Sequence, residues 1–182
     1  MTGTVLITGG SRGIGAATAR LAARHGYAVA INYRVERERA EALVAEIAQA
    51  GGKAVAVRAD VAQQSEVERM FGEVGERLGR LSALVNAAGI TGGPPTKAAD
   101  FKQAALERLL AVNVIGTMLC CREAVRHMSR AHGGAGGAIV NVSSMAAAIG
   151  GRPGRSLTPP PRRRSTASPS ASPRKWRGTA SG

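Results

Sequence analysis

Short apolar runs alternate along this chain with longer stretches in which apolar positions recur every three or four residues. Thr4–Thr8 (TVLIT) is an unbroken apolar run, which predicts a strand buried on both faces. Ile14–His25 then has helical spacing, and the pair of signals repeats. Strands are predicted at Ala28–Asn32, at Ala54–Arg58 and at a run that starts near Ala83 and closes on Leu84–Asn86. Helices are predicted at Glu36–Ala50 and Gln63–Leu78. A long helical stretch, Phe101–Ala131, precedes a fifth strand at Ala138–Ser143. Gly26, Gly51-Gly52, Gly79 and Gly133–Gly137 fall at the joints, where helices end. This alternation implies right-handed crossovers and a doubly wound parallel α/β sheet with helices on both faces.

Composition changes that picture in one place. The length, 182 residues, suits one domain, and with 44% hydrophobic but 3% aromatic residues the core must rest on Ala, Val, Ile and Leu. The formal charge of +13 is unevenly spread: eight of the 25 Lys/Arg and no Asp/Glu lie from Arg152 onward. Residues 1–151 are therefore read as the domain. Residues 152–182 are read as a basic Pro/Arg/Ser-rich tail, expected to be disordered for want of apolar residues. A polyanion partner would have to rest on that tail alone, so nucleic acid is not expected. Cys120 and Cys121 are adjacent, with neither metal-ligand spacing nor a disulfide framework. Reduced thiols, no metal and a cytoplasmic location follow as expectations. No leader precedes the first strand and no apolar run approaches membrane-spanning length, so a membrane is not an expected partner.

The residues able to do chemistry sit at the joints. Between the first strand and the first helix the chain reads TGGSRGIG, Thr8–Gly15. Gly9 and Gly10 allow a sharp turn. Gly13 and Gly15 let backbone amides at a helix N-terminus approach a diphosphate, where the helix dipole favours negative charge. A purely structural turn is the other reading; the loop's place after a first strand and before regular alternation favours a dinucleotide. The second strand ends Asn32-Tyr33-Arg34, with Glu36 the nearest acid. A carboxylate at that end would accept the adenosine ribose hydroxyls and repel a 2′-phosphate. With Arg12 and Arg34 there instead, NADP(H) is favoured over NAD(H). Arg34 can also be read as a solvated residue at a helix start.

Taken in order, these residues resemble the short-chain dehydrogenase/reductase family, in its classical branch, including members that act on 3-oxoacyl thioesters or sugars. TGGSRGIG is similar to the family's TGxxxGxG loop, so Gly9, Ser11, Arg12, Gly13, Ile14 and Gly15 would line the cofactor. Asn32, Tyr33 and Arg34 would flank the adenosine ribose. Asp60, in RADV, matches the position whose carboxylate contacts the adenine amine, with Val61 beside it. Asn86-Ala87-Ala88-Gly89 resembles the NAAG motif, in which Asn86, Ala87 and Gly89 would line the adenosine side. Asn113, in AVNVIGT, matches the catalytic asparagine, and Ser144, closing IVNVSS, the catalytic serine. The resemblance spans Thr2–Gly151. Each residue alone has a duller reading, Asn113 as a cap or Ser144 as a turn residue.

The resemblance implies a Rossmann-type fold and hydride transfer between a nicotinamide and a small-molecule carbonyl or alcohol. Ser144 would hydrogen-bond the substrate oxygen and Asn113 would hold a water in a proton relay. A tyrosine, its pKa lowered by a lysine in Tyr-x-x-x-Lys, would serve as general acid/base. Family members are homodimers or homotetramers, with the long helix packing across the dimer interface.

Beyond Ser144, where that pair is expected, the chain reads Arg155-Ser156-Leu157-Thr158-Pro159, and its only tyrosines are Tyr27 and Tyr33. Codons for Thr158–Arg162 read one base earlier can encode Tyr-Ala-Ala-Ser-Lys. The residues after about Ser156 are therefore read as the product of a frameshift, and the sheet as truncated after its fifth strand. Expressed as written, the chain is expected to be poorly soluble and without reductase activity. A rival reading keeps the tail as functional, on a non-catalytic dinucleotide-binding module whose Pro159–Arg164 segment meets a protein groove or nucleic acid.

Overall fold

The computed structural model describes residues 3–91 and 100–144. The elements run β1 (Thr4–Thr8), α1 (Gly13–Arg24), β2 (Ala28–Tyr33), α2 (Arg37–Gln49), β3 (Ala54–Arg58), α3 (Gln64–Leu78) and β4 (Leu81–Asn86). Then come α4 (Gln103–Leu110), a π-helical segment (Ala111–Gly116), α5 (Thr117–Met128), a short 3-10 turn (Arg130–His132) and β5 (Ala138–Asn141). All strands are parallel, in the order β3-β2-β1-β4-β5. This is the Rossmann-type sheet expected.

Period-two alternation sorts the strand residues onto two cores. Leu6, Ala28, Ala30, Val57 and Leu84 face α3 and α5, meeting Val67, Met70, Phe71, Val74, Cys120 and Ala124. Val5, Ile7, Val29 and Ile31 face α1 and α2, meeting Ala16, Ala19, Ala40, Leu43 and Ile47. The small residues of α1 and α2 let both helices approach the sheet without aromatic filler.

Four expectations shift. The fourth strand starts at Leu81 rather than near Ala83. There the register against β1 slips between Thr4 and Val5, and the Ser82 hydroxyl donates to the Thr4 carbonyl at 3.0 Å. That irregularity absorbs the polar residue that hides the strand start in the sequence. The long helix is continuous from Gln103 to Met128, but Ala111–Gly116 is wound with π geometry. By length and composition it is also apolar and long enough to cross a bilayer, at 26 residues with a mean hydropathy of 1.5 over an 18-residue window, contrary to the expectation that no run approaches that length. Its inner residues Val112, Cys120, Ala124 and Met128 belong to the sheet core, and Glu123 is ion-paired to Arg122 and Arg126. The helix is thus a layer of the α/β fold with an apolar outer face. Finally, β5 ends at Asn141 rather than Ser143, and the expectations for residues 145–182 lie outside the described residues.

Candidate functional site

Strand order reverses beside β1: β2 and β3 lie on one side, β4 and β5 on the other. In an open parallel sheet such a reversal opens a crevice at the strands' carboxyl ends. Thr8, the last residue of β1, stands opposite Asn86, the last of β4. Every motif residue singled out in the sequence closes or follows a strand at this edge, except Asn113 on the long helix.

The glycine turn after β1 is held from below. Asn32, buried at the end of β2, accepts from the Gly9 amide through Oδ1 at 3.2 Å, and its carbonyl accepts from the Gly10 amide at 2.8 Å. Its Nδ2 donates to the Val57 and Ala59 carbonyls at 3.3 and 3.0 Å. Asn32 is therefore a strut between the turn and β3, with its side chain committed inward.

The three motif glycines do different things. A Cβ at Gly9 would lie 2.7 Å from Ala88 Cα, so the turn touches the loop after β4. A Cβ at Gly15 would lie 2.4 Å from the Gly9 carbonyl oxygen, so α1 begins in direct contact with the turn. A Cβ at Gly13 would meet nothing within 4 Å, but its φ of +54° is one that L side chains rarely adopt. Gly13 is the open floor of the turn.

The N-terminus of α1 is left bare. Its first intrahelical bond runs from the Ala16 amide to the Arg12 carbonyl, so the amides of Gly13, Ile14 and Gly15 come before the ladder. No side chain caps it and its first turn carries no acid. Arg12, Gly13 and Ile14 are exposed and Ser11 is half-buried. Unpaired amides, the positive end of the helix dipole and an open glycine floor fit a phosphate group. On those grounds the residues present fit a dinucleotide.

The loop after β4 is fixed by Thr8, whose hydroxyl accepts from the Ala87 and Ala88 amides at 3.2 Å each and donates to Asn86 Oδ1 at 3.4 Å. Asn86 Nδ2 in turn donates to Asn141 Oδ1 at 2.9 Å, its in-register partner on β5. The Val142 amide donates to the Asn86 carbonyl at 2.9 Å, which carries the chain toward Ser144 on the same edge of the sheet. Ser144 is exposed.

At the other end of the crevice Tyr33 is buried against α2 while Arg34 is exposed. Asp60 Oδ1 accepts from the Ala62 amide at 3.0 Å, and Oδ2 accepts from Arg108 of α4 at 2.7 Å. Val61 is buried. A Cβ at Gly116 would come within 2.8 Å of the Val61 side chain and 3.0 Å of its carbonyl. Gly116 thus lets the long helix close on the Asp60–Val61 loop.

Asn113 lies in the π-helical segment, a geometry found at functional sites. Its side chain accepts from the Ile90 amide at 2.9 Å and donates to the Ile90 carbonyl at 2.8 Å. Both halves of the amide hold the loop beyond Gly89, and the Asn113 carbonyl accepts from the Thr117 hydroxyl at 3.1 Å. Below this region Cys121 lies beside Asn86 and Asn141, and burial pushes its thiol up. The Cys120 thiol is pushed up to about 12, by burial first and then by Cys121 and Glu123. Neither is a poised thiolate. Among the described residues no group of three His, Cys, Asp or Glu side chains could hold a metal ion.

Sequence reasoning passed over Thr8 as a loop anchor, Arg108 and Gly116. Only Gly116 left a signal, as an isolated glycine inside a helical pattern.

A bare helix N-terminus behind a glycine turn, set at a strand-order reversal, defines a Rossmann-type α/β domain. The chain belongs to the short-chain dehydrogenase family, whose model matches residues 3–156. It is similar to the Escherichia coli oxidoreductase YgfF, with 47% identity over 145 residues that cover 80% of this chain and 58% of that protein. It is also similar to the Staphylococcus aureus 3-oxoacyl-acyl-carrier-protein reductase FabG, with 39% identity over 150 residues, 82% of this chain and 59% of that protein. Among solved structures, a dehydrogenase/reductase from Sinorhizobium meliloti superposes with a TM-score of 0.77 at 41% identity, covering 85% of this chain and 59% of the other. The chain thus spans about three-fifths of the length of the relatives it matches.

Proposed function

We propose that this chain carries the cofactor half of an NADP(H)-dependent carbonyl reductase. The observation that carries the reading is the contact between the glycine turn and the loop after β4 beneath the bare start of α1, with Gly13 open to solvent. Amides of Gly13, Ile14 and Gly15 would grip the diphosphate, with Gly9, Ser11 and Arg12 around it. Asp60 and Val61 would border the adenine, and Asn86, Ala87 and Gly89 the adenosine side. Asn32 and Tyr33 support the ribose end from within. The exposed guanidiniums of Arg12 and Arg34 favour a 2′-phosphate.

A bound nicotinamide dinucleotide would supply the hydride. Ser144 would hydrogen-bond the oxygen of a small carbonyl or alcohol, of which a 3-oxoacyl thioester is one class. Asn113 holds the wall of the crevice through Ile90, and in this reading would hold a water in a proton relay. The outer face of the long helix, with Leu110, Ile115 and Met118 at least half exposed, would meet a second copy. Free Cys120 and Cys121 suit a reducing, cytoplasmic setting.

The test is equilibrium binding of NADPH and NADH to the 182-residue chain. Tighter binding of NADPH, weakened by Arg34→Ala while NADH is unaffected, is expected. Binding of neither cofactor by a chain that melts cooperatively would overturn the reading.

A further inference from the structure

Asp60 stands between two cations that it holds unequally. Oδ2 accepts a 2.7 Å hydrogen bond from Arg108 Nη2, whereas Arg34 Nη1 lies 4.0 Å from the same oxygen. Oδ1 is occupied by the Ala62 amide. The Asp60 side chain is mostly buried and Arg34 is the most exposed of the three. Arg34 is also fixed from behind, because Arg58 Nε donates to its backbone carbonyl at 3.3 Å. The backbone of Arg34 is therefore placed while its guanidinium is held just short of a hydrogen bond.

A carboxylate in that position has two effects on a nearby phosphate site. It draws Arg34 toward itself, and it repels an incoming anion. Arg108 opposes both by neutralising Oδ2 from the helix side. We propose that Arg108 is a specificity-determining positioning residue. By occupying Asp60 it leaves the Arg34 guanidinium available to the 2′-phosphate of an adenosine ribose. Arg108 approaches from α4 and does not itself touch the nucleotide. This rests on the dinucleotide reading above and adds to it a residue far in sequence from the ribose end.

The experiment compares 2′,5′-ADP with 5′-AMP by calorimetry on the full chain, for the parent, Arg108→Met, Arg108→Lys and the double variant Arg108→Met/Asp60→Asn. Arg108→Met is expected to weaken 2′,5′-ADP about tenfold, the loss that removal of one charge-assisted hydrogen bond produces, and to leave 5′-AMP within about twofold. Arg108→Lys should keep most of the discrimination. The double variant should regain the parent's ratio, because a neutral amide does not capture Arg34. Equal weakening of both nucleotides by Arg108→Met, or no recovery in the double variant, would make Arg108 a structural tie and overturn the proposal. A parent chain that binds neither nucleotide overturns the dinucleotide reading itself, a result separable from the other two.

Discussion

Gly9, Gly13 and Gly15 look alike in sequence and differ in what their missing side chains allow. At Gly15 the obstacle is the backbone oxygen of Gly9, which cannot move without opening the turn. Gly15→Ala should therefore destabilise the protein by about 1–3 kcal/mol, as overpacking does, and abolish dinucleotide binding. At Gly13 no protein atom stands in the way, and the cost of Gly13→Ala in stability is the left-handed backbone alone, about 1–2 kcal/mol. Thermal melts paired with NADPH titrations separate the two. Gly15→Ala that binds normally would mean the start of α1 does not hold the ligand. The loop itself was legible in the sequence, because its glycines follow the first strand directly. Its division of labour was not, because spacing does not say which Cβ would strike backbone. For the same reason Asn32, read beforehand as a ribose neighbour, is found holding the Gly9 amide from inside.

At the scale of elements, strands and helices were legible because five apolar runs and their intervening helices keep clean periods. The π-helical segment was not. The apolar period runs on through Ala111–Gly116, and the wider turn is tied by contacts distant in sequence, Asn113 with Ile90 and Gly116 against Val61. The Asp60–Arg108 pair was hidden likewise, since it joins a β3 loop to a helix. Cys120, on α5, offers a pH test of that helix's seat in the core. Its folded pKa, about 12, lies above the value of an exposed thiol, so the stability it contributes is complete below that exposed value. That stability is lost as pH rises through the interval up to about 12, where the unfolded chain has released the proton and the folded chain has not. Denaturant midpoints should fall across this alkaline window in the parent and fall less in Cys120→Ala. An equal fall in both would mean the thiol is not sealed against the sheet.

For the whole molecule, the likeness to the family stops before the chain does. The family model matches through residue 156, and the 26 residues that follow hold no acid and no tyrosine. In the reading proposed above, the described residues would supply a site for a cofactor and Ser144 for a substrate oxygen, but the two tyrosines are Tyr27, before β2, and Tyr33, buried at its end. A phenol at either place has no route to a carbonyl near Ser144. With no proton donor of that kind, the chain as written is expected to bind NADPH and not to oxidise it in the presence of 3-oxoacyl thioesters, sugars or small ketones. Codons for Thr158–Arg162 that contain Tyr-Ala-Ala-Ser-Lys one base earlier would identify the missing pair. A gene restored to that frame should then yield NADPH oxidation, and Tyr→Phe at the restored position should remove it while leaving cofactor affinity unchanged. The measurement is NADPH absorbance against time for the parent, the restored chain and its phenylalanine variant. Turnover by the parent would show that a group already present donates the proton. Nucleotides unable to encode that peptide would leave the basic tail as a feature in its own right.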